Sequence, residues 1–447
     1  MTKEYERSGI APKQETRWWV VGLVLFSLLP QGLAVQISGR TPNVLAFDLV
    51  LLVLLAWVLF ELFVGDLKFH PADGWTTNLI VALILCQVLS LLLNEQGVLK
   101  GLYSIKVSLF GYLPYLLTSL LVRTNLDFRR ATYSLVIWGG VIGLLLTFYF
   151  FTGGFADMGP AASYDAKDEV GIAMGRNNYL AAILILVLPI GFAIMWSHRG
   201  PRRLLFSVPV ALMGLGLLIT MSKGAFIALA AGSIAAIPLM RKQGLRLRHV
   251  IIFLLLISAF LVVVPRDLIL SIVDMFSYRL ANPDLERIDL LRVAWQAFKN
   301  HPFFGVGPSA IYLYNKQFAI DVVDTHNFVL QELAEVGIIG AIPFFIILGT
   351  FVRRTYRLCT SAASDVSLRF LPLGLFVGLV STLAHGLVEP TFPGQQYAVV
   401  FWVCMGLVFI LTSKQLENHK VAPQRAEELA RGMAGDVLPP GQNLGAV

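Results

Sequence analysis

The sequence predicts an all-α, polytopic membrane protein, and three observations predict it. Of 447 residues, 56% are hydrophobic and 14% charged, roughly half the charged share of an ordinary soluble domain. The hydrophobic residues fall in long unbroken blocks, each near the roughly 17–25 residues that an α-helix needs to cross a bilayer. Short basic segments separate many of these blocks, as cytoplasmic connections do.

The length rule gives about twelve spans, near 18–36, 43–64, 78–94, 103–122, 131–152, 179–196, 204–221, 224–240, 250–264, 336–352, 370–388 and 396–412. They divide the chain into a transmembrane bundle over 1–264 (spans one to nine), a loop over 265–335, three further spans over 336–412, and a polar tail over 413–447. The tail, with Pro439 and Pro440, reads as disordered and cytoplasmic. The first apolar run reads as a retained span rather than a cleaved signal.

The segments Arg123–Arg130, Ser197–Arg203, Arg241–His249 and Arg353–Arg369 are basic. They share one side if both termini are cytoplasmic, as the positive-inside rule places them. The net charge of +7 is then a set of topology anchors, and a nucleic-acid partner is excluded because no basic face forms. Cys86, Cys359 and Cys404 lack disulfide or metal spacing and read as packing residues. Asp48, Glu61 and Lys106 are the few charges in the early spans.

Loop 265–335 faces outward in this arrangement, together with a shorter segment, Phe155–Asn178, that contains Arg176. About seventy residues without structure would be unusual, so the loop carries short helices and a function. Glu286 to Asn300 is amphipathic: Ile288, Leu291, Ala294, Trp295 and Phe298 make an apolar stripe opposite Asp289, Arg292, Gln296 and Lys299. The helix lies on the membrane surface or roofs the bundle. Arg287 falls at the end of the stripe, as a snorkelling side chain on a lipid phosphate or as a cation aimed at a buried anion. His301-Pro302 ends the helix, with His301 a turn residue, and Gly305-Val306-Gly307-Pro308 turns the chain back to the bundle. Asp324 or Thr325 caps the next helix, which puts His326 in its first turn at the outer membrane edge.

These residues resemble a known family. Arg287-Ile-Asp-Leu-Leu, Asn300-His-Pro-Phe-Phe-Gly-Val-Gly-Pro and Thr325-His-Asn-Phe-Val-Leu-Gln-Glu-Leu-Ala-Glu-Val-Gly-Ile-Ile-Gly resemble the signature loop of bacterial O-antigen ligases, a pattern that O-antigen polymerases share. Thr220-Met-Ser-Lys-Gly-Ala resembles the family's Ser-Arg-Gly turn, with Lys223 in place of arginine, which keeps the charge and loses the planar fork. His385-Gly-Leu-Val-Glu389 resembles a His-x-x-x-acid motif, and Gly175-Arg176-Asn177-Asn178 an Asn-containing entry to a span.

The resemblance implies a GT-C-like glycosyltransferase of the Gram-negative inner membrane with a periplasmic active site. It implies metal-independent, inverting transfer of O-antigen polysaccharide from undecaprenyl diphosphate to a sugar hydroxyl of lipid A–core, in lipopolysaccharide biosynthesis, with no cofactor and with membrane lipids as surroundings. Such a reaction needs a base for the acceptor hydroxyl and positive charge for the departing diphosphate. His326 is the candidate base. Because no Asp-x-Asp motif occurs in the outer segments, Arg287 and Lys223 are the candidate diphosphate ligands, with Arg176, Arg266 and Arg292 behind them. Glu389, His385 and Asp324 are supporting candidates, Glu389 orienting His326 or the acceptor or holding His385. A polymerase of the same superfamily, a transferase acting on a periplasmic protein, and a transporter or lipid flippase remain open alternatives.

Overall fold

The computed structural model describes residues 17–28, 46–64, 74–94, 98–152, 177–220, 222–243, 286–317, 325–361, 368–389 and 397–413. Regular structure among them is helical throughout: α1 (Trp19–Phe26), α2 (Ala46–Val64), α3 (Gly74–Leu93), α4 (Val98–Leu121), α5 (Asn125–Thr152), α6 (Asn177–Ser197), α7 (Pro201–Thr220), α8 (Lys223–Lys242), α9 (Glu286–Asn300), α10 (Ile311–Gln317), α11 (Phe328–Thr360), α12 (Leu371–Gly386) and α13 (Tyr397–Ser413).

Eight of these are long and apolar enough to cross a membrane, and α12 and α13 are shorter apolar helices. Eight of the expected spans are thereby met, and α12 and α13 fall on two more without reaching that length. The first is helical over α1, and the span near 250–264 lies outside the described residues, as do the tail after 413 and most of loop 265–335 before α9.

α6 forms the centre of the bundle. Its residues Leu180 to Val187 are all within 1% of complete burial, as expected of a helix apolar on every side. α5, α7, α8 and α12 pack around it. Small residues allow the close crossings: a Cβ on Gly216 would stand 2.7 Å from the Cα of Gly143, and one on Gly378 2.3 Å from the Leu186 carbonyl oxygen. In membranes such small-residue contacts substitute for the missing hydrophobic drive between helices. All three of the early charges are paired rather than bare: Lys106 with Asp48, and Glu61 with Arg17 at 2.9 Å.

Hydrogen bonds tie the helix ends into two groups. At one end Gln243 Nε2 donates to the Cys359 carbonyl, Arg369 to the Gln243 carbonyl, and the Phe370 N–H to Ser197 Oγ. The described parts of the basic segments, 197–203, 241–243, 353–361 and 368–369, therefore meet at this end. At the other end lie Ser90 and Asn94 of the α3 terminus, Ser222 before α8, Asn327 before α11 and Leu387 after α12.

α11 begins eight residues before the span expected at 336–352, and it is broken at Gly337, whose φ of 66° and ψ of −174° are non-helical. The break exchanges hydrogen bonds with the chain after α9. In a continuous helix the N–H groups of Ile338 and Ile339 would donate to Ala334 and Glu335. They donate instead to the carbonyls of Pro302 (2.9 Å) and Phe303 (3.2 Å), and the released carbonyls accept from Val306 (2.8 Å) and Gly307 (3.0 Å). The segment Pro302–Gly307 thus completes the backbone of the broken helix. Gly305, at φ 68°, permits this approach, since a Cβ there would fall 2.3 Å from the Glu335 carbonyl carbon.

The face of α9 that packs on α11 overlaps the expected stripe only at Ala294. Leu290, Val293, Ala294 and Ala297 are buried with Val306, Ala310, Ile311 and Ala334. Ile288 and Trp295 remain 52% and 48% exposed. Apolar residues occupy both sides of this helix, and the side that packs on α11 is the one with small residues, which admit a close helix contact.

Candidate functional site

The site is assembled from three helix ends. The turn before α11 supplies His326, the turn after α12 supplies Glu389, and the start of α8 supplies Ser222 and Lys223.

Asn327, not Asp324 or Thr325, caps α11: its side chain accepts from the Leu330 N–H at 3.0 Å. Thr325 is buried beneath it, with its hydroxyl donating to the Asn327 carbonyl at 2.8 Å. Asp324 lies outside the described residues. His326 consequently precedes the first helical turn instead of sitting in it, with a left-handed φ of 52°. For a residue other than glycine this backbone is costly unless its surroundings enforce it. Here they do. Asn327 Nδ2 donates to the Leu387 carbonyl at 3.0 Å, which locks the α11 start to the α12 end.

That lock brings His326 Nδ1 to 3.0 Å from Glu389 Oε2. The His326 side chain is 21% exposed and that of Glu389 7%, so the ring is accessible while its carboxylate is not. A carboxylate can only accept here, so Nδ1 is the donor of this contact, and in the neutral ring the lone pair falls on Nε2. The Glu389 N–H donates to the His385 carbonyl at 3.0 Å, which closes the turn.

His385 is fully buried. Its Nε2 lies 3.4 Å from Ser222 Oγ. Glu389 therefore serves His326, while His385 faces the start of α8. Lys223, the first residue of α8, is half-buried beside this contact. Ser222 and Asn327 were in view within the quoted motifs; neither stood out by residue type, because only tertiary contact gives them a task.

Of the remaining candidates, few side chains are described. Arg287 is the second residue of α9, and its side chain is outside the described residues, as are Arg176 and Arg266 altogether. Arg292 is 75% exposed and paired with Asp289 at 3.0 Å. His301 is exposed, with Nε2 2.8 Å from the Tyr314 hydroxyl. Burial pushes that phenol above its ordinary range, so Tyr314 stays protonated.

A second polar cluster went unseen in the sequence. Glu335 Oε2 accepts from the Ser309 N–H (2.8 Å) and Oε1 from Gln331 Nε2 (3.2 Å). With Gln87 and Glu332 these residues line a cavity of about 80 Å³ between α3, α4, α11 and α13. Single glutamines and glutamates within apolar runs carry no periodic signal, which is why the pattern hides them.

Residues 208–345 match the family model described as O-antigen ligase, a range that includes Lys223, Arg287 and His326 and ends before His385 and Glu389. No curated protein matches the chain.

Proposed function

We propose, from the premise that the segment 208–345 belongs to the O-antigen ligase family, that this membrane protein moves a finished glycan from undecaprenyl diphosphate to a sugar hydroxyl of lipid A–core on the periplasmic face of the inner membrane. The observation that carries the proposal is the His326–Glu389 pair, seated at the same bundle end as Lys223. The end that gathers the basic segments is the cytoplasmic one by the positive-inside rule, and the site lies at the opposite end.

In this reading His326 Nε2 takes the proton of the acceptor hydroxyl as its oxygen attacks the anomeric carbon. The bond from that carbon to the diphosphate oxygen breaks from the opposite face, which inverts the centre. Glu389 holds the ring and offsets the charge of the imidazolium, the role of a carboxylate behind a catalytic histidine. Lys223 and Arg287 neutralise the leaving diphosphate as its charge grows. A proton-accepting histidine typically contributes about 10²–10⁴-fold.

The test is complementation of a host that lacks its own ligase. The wild-type chain restores O-antigen ladders on lipopolysaccharide, and His326→Ala does not at equal protein level. Normal ladders with His326→Ala would end the reading. In a purified transfer assay Arg287→Lys retains more rate than Arg287→Ala; unchanged rates in both would remove Arg287 from the diphosphate site. Activity survives chelation, and full dependence on added divalent ion would overturn catalysis by fixed cations.

A further inference from the structure

α9 presents three different sides. At about 100° per residue, Leu290, Val293, Ala294 and Ala297 fall on one of them and are buried, with Ala294 and Ala297 packed beside Ala334 of α11. Asp289, Arg292, Gln296, Lys299 and Asn300 fall together on another and are exposed. Between these two lies the rest of the stripe expected from the sequence. Ile288 and Trp295 are exposed there, Leu291 and Phe298 are half-buried, and the Trp295 and Phe298 rings stand 5.5 Å apart. A packed side, a charged side and an open apolar side are what a helix needs where protein, water and lipid meet.

The surface that adjoins α9 identifies what covers the open side. Phe303, just beyond the helix, is exposed, and its carbonyl accepts from the Ile339 N–H at 3.2 Å. Ile339 belongs with Ile338, Ile342 and Ile346 to an exposed apolar strip of α11 that starts at the Gly337 break. That strip is on a helix long and apolar enough to span a membrane, so acyl chains cover it. Phe303 carries the lipid-facing surface past the break to the end of α9. The composition of α9 agrees with this level. A tryptophan is favoured at the boundary between hydrocarbon and water. Lys299 lies at the seam between the open apolar side and the charged side, where its stem rests on lipid and its ammonium reaches a phosphate.

We propose that α9 is an interfacial anchor. Its Ile288–Trp295 side lies in the leaflet at the His326 end of the bundle, and the helix holds the first turns of α11 at the depth of the lipid headgroups. His326 sits directly before those turns, so the anchor fixes the level of the base as well. A lipid-linked diphosphate carries its phosphates at that same depth, and a base held there meets the bond to be broken without lifting the lipid from the leaflet. The immersion of α9 stands without the glycosyl-transfer reading; its consequence for His326 rests on it.

The experiment places single nitroxides on the full chain in vesicles of phosphatidylethanolamine and phosphatidylglycerol, with Cys86, Cys359 and Cys404 replaced by alanine. Probes at Ile288→Cys, Trp295→Cys and Phe303→Cys should collide with oxygen in preference to a water-soluble nickel chelate, at about 5–10 Å below the headgroups. Probes at Arg292→Cys and Gln296→Cys should show the opposite preference. Equal access of the chelate to both sets overturns the anchor. Spin–spin broadening at Trp295→Cys would assign the side to a second copy of the chain, and exclusion of both reagents without broadening to another segment of the same chain; either overturns it. A second arm tests the link to His326. Trp295→Gln with Phe303→Gln should move the Ile288→Cys probe into water and cut transfer from the lipid-linked donor at least tenfold, while Gln296→Ala changes neither. A probe that stays at depth in the double variant overturns anchoring by these rings, and undiminished transfer with the probe in water overturns the link to the base. If the probes report immersion but the wild-type chain transfers nothing, the anchor stands and the ligase reading falls.

Discussion

At the scale of single residues, the site depends on how His326 is held rather than on its identity alone. Glu389→Gln keeps the side chain's size and removes its charge, so the ring loses its orientation and the counter-charge for the imidazolium. The expected outcome is a fall in kcat of about 10²–10⁴-fold with little change in KM for the lipid-linked donor, measured in a purified transfer assay. A proportional rise in KM instead would assign Glu389 to binding. Asn327 carries two tasks, capping α11 and bonding Leu387. Asn327→Ala should cost about 0.5–2 kcal/mol for the cap alone, visible as a lower Tm in detergent, and should reduce transfer further because His326 and Glu389 lose their registry. The sequence made His326 and Glu389 visible as chemistry-bearing types near helix ends. Their partnership across 63 residues was one of the roles open to Glu389, and periodicity within either helix could not choose it over the acceptor or His385, since helix-end contacts depend on how α11 and α12 pack.

At the scale of elements, long apolar runs announced the helices well, because the bilayer imposes their length. Interruptions were harder. Gly337 looked like an ordinary glycine inside a helical pattern, yet it breaks α11 and lets Pro302–Gly307 in. α9 was legible only in part for a related reason: it has apolar residues on two sides, and the pattern alone does not say which side, with Ala294 and Ala297, packs on α11. Gly337→Ala tests the junction. It puts a Cβ 2.3 Å from the Phe303 carbonyl carbon at a φ of 66°, a backbone cost of about 1–3 kcal/mol before the clash is counted. Limited proteolysis should then cut faster near residues 302–309, and transfer should fall together with the loop's protection. Unaltered protection would mean that the junction tolerates a continuous helix.

At the scale of the whole molecule, the fold sorts its charges by location. Asp48 and Lys106 meet inside the bundle; removing one partner leaves a lone charge, at about 3–5 kcal/mol, whereas removing both is far milder. Asp48→Asn should lower the yield of folded protein, and Asp48→Asn with Lys106→Met should recover it, read by size-exclusion chromatography. Orientation is tested by labelling. With Cys86, Cys359 and Cys404 replaced, a cysteine at Lys299 should react with an impermeant maleimide in intact spheroplasts, and one at Arg202 only after permeabilisation. The reverse pattern would place the His326 site on the cytoplasmic side and remove lipid A–core as its acceptor.

The hydrogen-bond exchange between Pro302–Gly307 and the interrupted α11 makes two distant stretches of sequence a single inheritable unit. Chimeras that graft the loop before α11 from one such protein onto the membrane scaffold of another, in search of new glycan preferences, should succeed only when residues 302–309 travel with 331–339. Neither stretch has a complete backbone on its own, so a seam cut between them leaves both donor and recipient with halves that do not join.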